Sequence, residues 1–230
     1  MWICKLEGDR IEVSTKYKNY GYYDLIKEPL CTKCSYPDSD VNDCDKHLLS
    51  YGFNRLYSLG VYRPSRNYKE DLLKAHILGL KKFKNYAYPL GEAISICINK
   101  KWPEIKDSNL IVPVPEIEAD FKVDRKTDVR YNQPTELGKV VSENTGIPLN
   151  EDLIKTKSFS LKDLKVEERY EAVKGAFKLR DAKQIYGKKI ILVDDVATAL
   201  ATCSECSQTL LNAGAKEVNV VVAGRDLIGS

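Results

Sequence analysis

The stretch from Lys188 to Thr202 constrains this chain more than any other part of it. Lys188-Lys189-Ile190-Ile191-Leu192-Val193 runs directly into Asp194-Asp195, then into Val196-Ala197-Thr198-Ala199-Leu200-Ala201-Thr202. A short, uninterrupted apolar run suits a strand buried on both faces of a parallel sheet. Residues from about Ala201 to Asn212 read as a helix stopped by Gly214, and Val218–Ala223 as a further strand. Asn109–Val114 is a second continuous apolar run, and Pro134 opens a helix that Gly146 and Pro148 close. Between Tyr68 and Asn99 the apolar residues recur at helical spacing, with Pro89 dividing two helices. Residues 1–17 read as a hairpin turning at Gly8-Asp9, followed by a polar, Tyr-rich stretch. This alternation predicts an α/β fold, a doubly wound and mostly parallel sheet over residues 51–230. A small N-terminal β module over residues 1–50 precedes it, with the boundary near Leu49–Tyr51.

With 43% apolar and 30% charged residues in 230, the chain has the balance of a soluble globular protein, one ordinary domain and a small module. No apolar run approaches the roughly 20 residues that span a bilayer. The start, Met1 to Glu7, is too soon charged for a secretory signal, so a cytoplasmic protein with no membrane partner is expected. A net charge of +3 does not argue for nucleic acid. Four of the seven cysteines lie in two C-x-x-C pairs. Cys31-x-x-Cys34 followed by Cys44-x-x-His47 has the spacing of a structural zinc knuckle, four ligands closing a tetrahedron around Zn²⁺. Cys4 is the alternative to His47. Cys203 and Cys206, within a helix and without a second ligand pair nearby, read as core packing, as do Cys97 and His76. The run Lys81-Lys82-Phe83-Lys84 reads as a solvated helix face.

In doubly wound sheets ligands bind at the carboxyl ends of strands, where the chain turns into the next helix. Asp194 and Asp195 stand at such an end. Their carboxylates can accept hydrogen bonds from sugar hydroxyls or hold a cation. The small-residue loop and helix start beyond them can bind a phosphate, helped by the Thr198 and Thr202 hydroxyls. The same residues also suit a strand end with solvated acids and a capping threonine.

Residues 190–202 resemble the phosphoribosyl-pyrophosphate (PRPP) binding motif of type I phosphoribosyltransferases: four apolar residues, two acids, two small or apolar residues, then Thr-Thr-Gly-x-Thr. Three further stretches resemble the ComF-like branch of that superfamily: Ile111-Val112-Pro113-Val114-Pro115, Tyr131-Asn132-Gln133, and the segment containing Glu168-Arg169, Val173 and Gly175-Ala176-Phe177. They occur in the family's order over roughly residues 50–225. The resemblance implies that Asp194 and Asp195 hold the ribose hydroxyls of PRPP. The loop entered through Val196 and Ala197, from Thr198 through Ala199, Leu200 and Ala201 to Thr202, would cradle the 5-phosphate. It also implies Mg²⁺ bridging pyrophosphate and ribose oxygens, and a lid over Lys155–Arg169 delivering cations, Arg169 foremost. The loop Glu116–Arg130 would face the pyrophosphate, with Arg130 as a contact.

The implied chemistry is transfer of ribose 5-phosphate to a small nitrogenous acceptor. The alternative is a non-catalytic PRPP-binding protein, or one associated with nucleic acid in DNA uptake; a homodimer is compatible with either. ComF-like proteins commonly carry an N-terminal four-cysteine zinc segment, which fits Cys31–His47. Three departures stand out. Ala199 and Leu200 replace the family's Thr and Gly, Leu161 stands where Gln is usual, and Ala172 where Asn is usual. Glycine lets the backbone approach a phosphate and adopt unusual dihedrals, so Leu200 is expected to crowd the phosphate or to block a required φ.

Overall fold

A computed structural model describes residues 1–26, 52–62, 71–161 and 164–226. Cys31, Cys34, Cys44 and His47, and the boundary expected near Leu49–Tyr51, lie outside the described residues. The chain opens with β1 (Trp2–Glu7), β2 (Arg10–Thr15) and β3 (Lys18–Asp24), an antiparallel sheet in that order. Gly8, at φ 60°, makes the first turn. Next come β4 (Leu56–Tyr62), α1 (Leu72–Leu80), α2 (Ala87–Lys100) and β5 (Leu110–Pro113). A two-residue ribbon of β6 (Lys122–Val123) with β7 (Arg130–Tyr131) leads into α3 (Gln133–Thr145). Then β8 (Leu153–Lys155), α4 (Val166–Val173) and β9 (Phe177–Leu179) form an excursion in which β8 and β9 pair antiparallel. The chain finishes with β10 (Lys189–Ala197), α5 (Ala201–Asn212) and β11 (Glu217–Asp226).

Four strands form the central sheet in the order β4-β11-β10-β5, every neighbour pair parallel. Its continuous apolar strands face two cores, because successive side chains point to opposite faces. Ile191 and Val193 of β10 join Ile111, Val221 and Ala223 in the core beneath α1, α2 and α3. Ile190 and Leu192 join Val112, Val218, Val220 and Val222 in the core beneath α5 and the β8–β9 excursion. Each such side chain is fully or nearly fully buried, worth about 1.5–3 kcal/mol apiece in area removed from water. Cys97, Cys203 and Cys206 are buried within these cores. The N-terminal sheet shares the first core through Ile11, Val13 and Tyr23. No helix among the described residues is long and apolar enough to cross a membrane.

Helix α1 crosses close over the sheet where Gly60 and Gly224 are cross-strand partners. A Cβ at Gly60 would meet Leu73 Cδ2 at 2.5 Å, and one at Gly224 would meet Ile77 Cδ1 at 2.8 Å, so neither strand can carry a side chain there. Helix α3 ends where expected, with Gly146 left-handed at φ 76°.

Three local expectations are corrected. The Tyr-rich stretch contains a third strand, β3. Its alternation is masked by a register shift opposite Val13 and Ser14, which leaves Tyr20 unpaired with β2, and by the exposed aromatic Tyr22 beside the buried Tyr23. Pro89 does not divide the helices but lies in the first turn of α2, where its missing N–H has no intrahelical acceptor to lose. The division is made by Lys81–Tyr86. Strand β10 also continues four residues beyond its apolar run, so Asp194 and Asp195 are strand residues and not turn residues.

His76 joins the N-terminal sheet to α1. Its Nδ1 lies 2.5 Å from the Tyr23 hydroxyl, with the rings of Trp2 and Tyr86 at centroid distances of 5.3 and 5.1 Å. Burial disfavours the imidazolium and lowers the pKa to about 4. The unfolded chain, with His near 6.5, therefore binds the extra proton first as pH falls. The contribution of neutral His76 is intact above about pH 6.5 and is lost between 6.5 and 4. Urea unfolding at pH 7 and pH 4.5 should show the wild type losing roughly 2–3 kcal/mol more than His76→Gln over that interval; equal losses would remove the assignment.

Candidate functional site

The crevice arises from topology. After β5 the chain turns toward α3 on one face of the sheet, and after β10 it turns toward α5 on the other, so the two adjacent strand ends part. Such a divergence is where open α/β sheets place ligands. Strand β5 pairs with β10 only as far as Pro113↔Val193, with one more bond from Val114 N–H to Val193 O at 2.9 Å. Beyond that point, among the described residues, β10 is flanked at Asp194 and Asp195 by β11 alone. They border a cavity of about 960 Å³ together with Thr202, Glu116, Asp120 and Lys155.

The two acids are braced locally. Asp194 Oδ1 accepts from the Asp195 amide and Asp195 Oδ1 from the Val196 amide, both at 2.8 Å, while the Cys203 thiol lies 3.9 Å from Asp194 Oδ2. Burial, and then the neighbouring Asp195 charge, raise the Asp194 carboxyl well above the usual carboxylate range. A cation, or hydroxyl donors from a sugar, would relieve that cost.

The loop from Ala197 to Leu200 is held from behind. Arg225, buried and directly across from Ala197 on β11, donates through Nη1 to Ala197 O at 2.8 Å, to Thr198 O and to Asp226 O. Tyr170 of α4 donates to Ala199 O at 2.9 Å. Because a trans peptide sets C=O and the following N–H antiparallel, drawing back three successive carbonyls turns the amides of Thr198, Ala199 and Leu200 the opposite way. Helix α5 then begins with no side-chain cap, leaving its first-turn N–H groups open.

Leu200 adopts φ 64°, ψ −2°, the left-handed conformation for which glycine is the usual choice. Its side chain is 3% exposed and packs in the core beneath α5. Both expectations for Leu200 are therefore overturned: the φ is adopted, and the side chain leaves the crevice clear.

Of the residues singled out from sequence, Asp194, Asp195 and Thr202 border the cavity; Val196 and Ala197 end β10, Thr198 to Leu200 make the turn and Ala201 opens α5, and none of these lines the cavity. Arg169 sits on α4, donating from Nε to Leu164 O at 3.0 Å, with its charge felt at Asp226. Arg130 is exposed and donates to Ala119 O at 3.3 Å. Neither borders the cavity. Cys4 is bound elsewhere, its thiol donating to Pro89 O at 3.5 Å. Lys81, read as a solvated face, lines the cavity. Sequence reasoning also passed over Arg225 and Tyr170. The available signal was a lone arginine closing an eight-residue stretch otherwise without charge, Val218 to Arg225.

No family model matches the chain. Competence protein F of Haemophilus influenzae is 29% identical to it over 124 residues, 53% of this chain and 52% of that protein. The chain thus spans about half the length of the curated relative it matches. Three solved structures are similar at a TM-score of 0.37 each. Glutamine PRPP amidotransferase from B. subtilis is 16% identical, over 96% of this chain and 37% of that one. Hypoxanthine-guanine phosphoribosyltransferase from L. donovani is 11% identical, over 61% and 72%. A purine phosphoribosyltransferase from Pyrococcus horikoshii is 13% identical, over 59% and 82%. Overlays at this level carry no argument, and the functional reading rests on the crevice itself.

Leu200→Gly separates strain from packing. It relieves about 1–2 kcal/mol of left-handed strain but deletes a buried leucine, a loss of about 2–5 kcal/mol. Denaturant unfolding should therefore show net destabilisation of roughly 1–3 kcal/mol; a stabilised variant would mean that the side chain contributes nothing to the core.

Proposed function

We propose that the crevice binds PRPP and that the chain is a phosphoribosyltransferase-like protein, passing ribose 5-phosphate to a nitrogenous acceptor with release of pyrophosphate. One observation carries the reading. Two adjacent carboxylates and Thr202 border the crevice, and the turn that joins them has its carbonyls held by Arg225 and Tyr170 and runs into an uncapped helix start. Acids suit sugar hydroxyls, and outward amides with a helix N-terminus suit a phosphate. PRPP carries both, about one ribose apart.

The Mg²⁺ expected with PRPP fits this donor set. Among the described residues no three His, Cys, Asp or Glu side chains converge into a protein cage. Magnesium commonly takes one or two carboxylates and completes its shell with phosphate oxygens and water, and Asp194 and Asp195 supply such a pair. When bound, the ion would neutralise charge on the departing pyrophosphate. The residues' own task is positional. Asp194 and Asp195 fix the ribose hydroxyls, and the loop amides with Thr198 and Thr202 anchor the 5-phosphate. The cavity walls limit water while the C1–O bond to pyrophosphate breaks and the C1–N bond forms. Positive charge developing on the ribose is favoured by the nearby carboxylates.

The partial likeness to a protein named for competence favours a second reading, a non-catalytic PRPP-binding protein that works with nucleic acid. Thermal unfolding distinguishes binding classes. PRPP with Mg²⁺ at 100 times its dissociation constant should stabilise the chain by roughly 2.7 kcal/mol, with the effect lost in Asp195→Asn; single-stranded DNA should add nothing at moderate salt. A shift that survives Asp195→Asn would refute the assigned site. Pyrophosphate release against a panel of bases then separates an enzyme from a binder.

A further inference from the structure

Lys155 is the one strongly buried cation on the cavity wall among the described residues. It ends β8, paired with Phe177 of β9, and its side chain is 4% exposed. It therefore does not ride on a mobile lid, as the sequence suggested for Lys155–Arg169. Its Nζ meets Glu116 Oε2 at 2.5 Å and Asp120 Oδ2 at 3.5 Å, and lies 4.2 Å from the centroid of the Phe159 ring. The partners differ sharply in setting. Glu116 and Asp120 are 35% and 38% exposed, on the loop after β5. Water can receive those carboxylates if they swing away, whereas the ammonium, fixed in a paired strand, cannot follow. A buried cation left alone is costly, so it must exchange one anion for another.

We infer that Lys155 is the diphosphate-binding cation of this cavity, and that Glu116 and Asp120 occupy its anion position while the site is empty. The inference deepens the PRPP reading and rests on it for the identity of the diphosphate. Entry of a diphosphate breaks the Lys155–Glu116 and Lys155–Asp120 pairs and releases the loop after β5 toward solvent. The latch thus makes affinity for diphosphate lower than the bare lysine would give, and makes binding report on loop position. It also keeps a cavity already lined by Asp194 and Asp195 from holding an unpaired ammonium between turnovers.

The test uses inorganic pyrophosphate and, separately, ribose 5-phosphate as probes in titration calorimetry on the full chain. Glu116→Gln, and more so Glu116→Gln with Asp120→Asn, should tighten pyrophosphate binding at least threefold. Lys155→Met should weaken it at least tenfold, and Lys155→Arg should largely retain it. All should leave ribose 5-phosphate within twofold of wild type. Should Lys155→Met fail to fold, the neutralised loop variants, which keep the cation, decide the matter alone. Unchanged or weaker pyrophosphate binding in those loop variants, or wild-type binding in a folded Lys155→Met, overturns the latch. Absence of pyrophosphate binding in wild type and loop variants alike overturns it too. The two readings fail separately: PRPP stabilisation sensitive to Asp195→Asn without the pyrophosphate pattern sinks only the latch. The pyrophosphate pattern without PRPP stabilisation sinks only the PRPP assignment.

Discussion

The pairing of β10 with β11 places Arg225 opposite Ala197, and the crevice depends on that register. A buried guanidinium is tolerable only when its donors are satisfied. Here main-chain carbonyls serve as acceptors, those of Ala197 and Thr198 across the strand pair and that of Asp226 next along β11. The arginine therefore cannot move away without releasing the Ala197 and Thr198 carbonyls, and the turn cannot change shape without breaking the same bonds. Each constrains the other. A one-residue slip in the β10–β11 register would break this coupling and turn the apolar set of β10 inside out between the two cores.

With the loop fixed, the electrostatics of the cavity follow. Four acids, Glu116, Asp120, Asp194 and Asp195, and three lysines, Lys81, Lys122 and Lys155, line one space. A polyanion entering it meets Lys155 already engaged by two carboxylates, and an Asp194 that resists ionising because of burial and its neighbour. Under the proposed function, such a site would suit a ligand carrying both hydroxyl donors and anionic oxygens. A simple anion would be repelled at the Asp194–Asp195 end, and a simple cation would have to compete with Lys155 for Glu116. The arrangement selects by the order of charges along the ligand rather than by its total.

How much of this the sequence carried can be read from particular residues. The double-faced burial of β10 was legible because four consecutive apolar residues in a strand place side chains on both faces of the sheet, where each must be covered. The helix end at Gly146 was legible because a left-handed C-terminal residue leaves a chemical mark. Strand β3 was not legible, since tyrosines on both faces hide the period of two. Pro89 misled because its effect depends on whether it falls in a first turn, which is a matter of a few residues. Arg225 and Lys155 were illegible for a different reason. Their roles come from groups far away in sequence, the carbonyls at 197–198 and the carboxylates at 116 and 120, and no local pattern encodes such pairings.

Leu200 shows why a departure from a motif need not undo the geometry the motif provides. Glycine at such a position supplies a left-handed φ without strain and leaves no side chain to obstruct a ligand. Leucine meets the first need by accepting strain of about 1–2 kcal/mol, which burial in the core beneath α5 more than offsets. The second need is met by direction, since the residue's side chain packs in that core and lines no part of the cavity. What changes is rigidity. A glycine loop can adjust to its phosphate, whereas here Leu200 from within the core, Arg225 from the sheet and Tyr170 from α4 all fix the same few peptides. The turn is thus held in one shape by three separate parts of the fold.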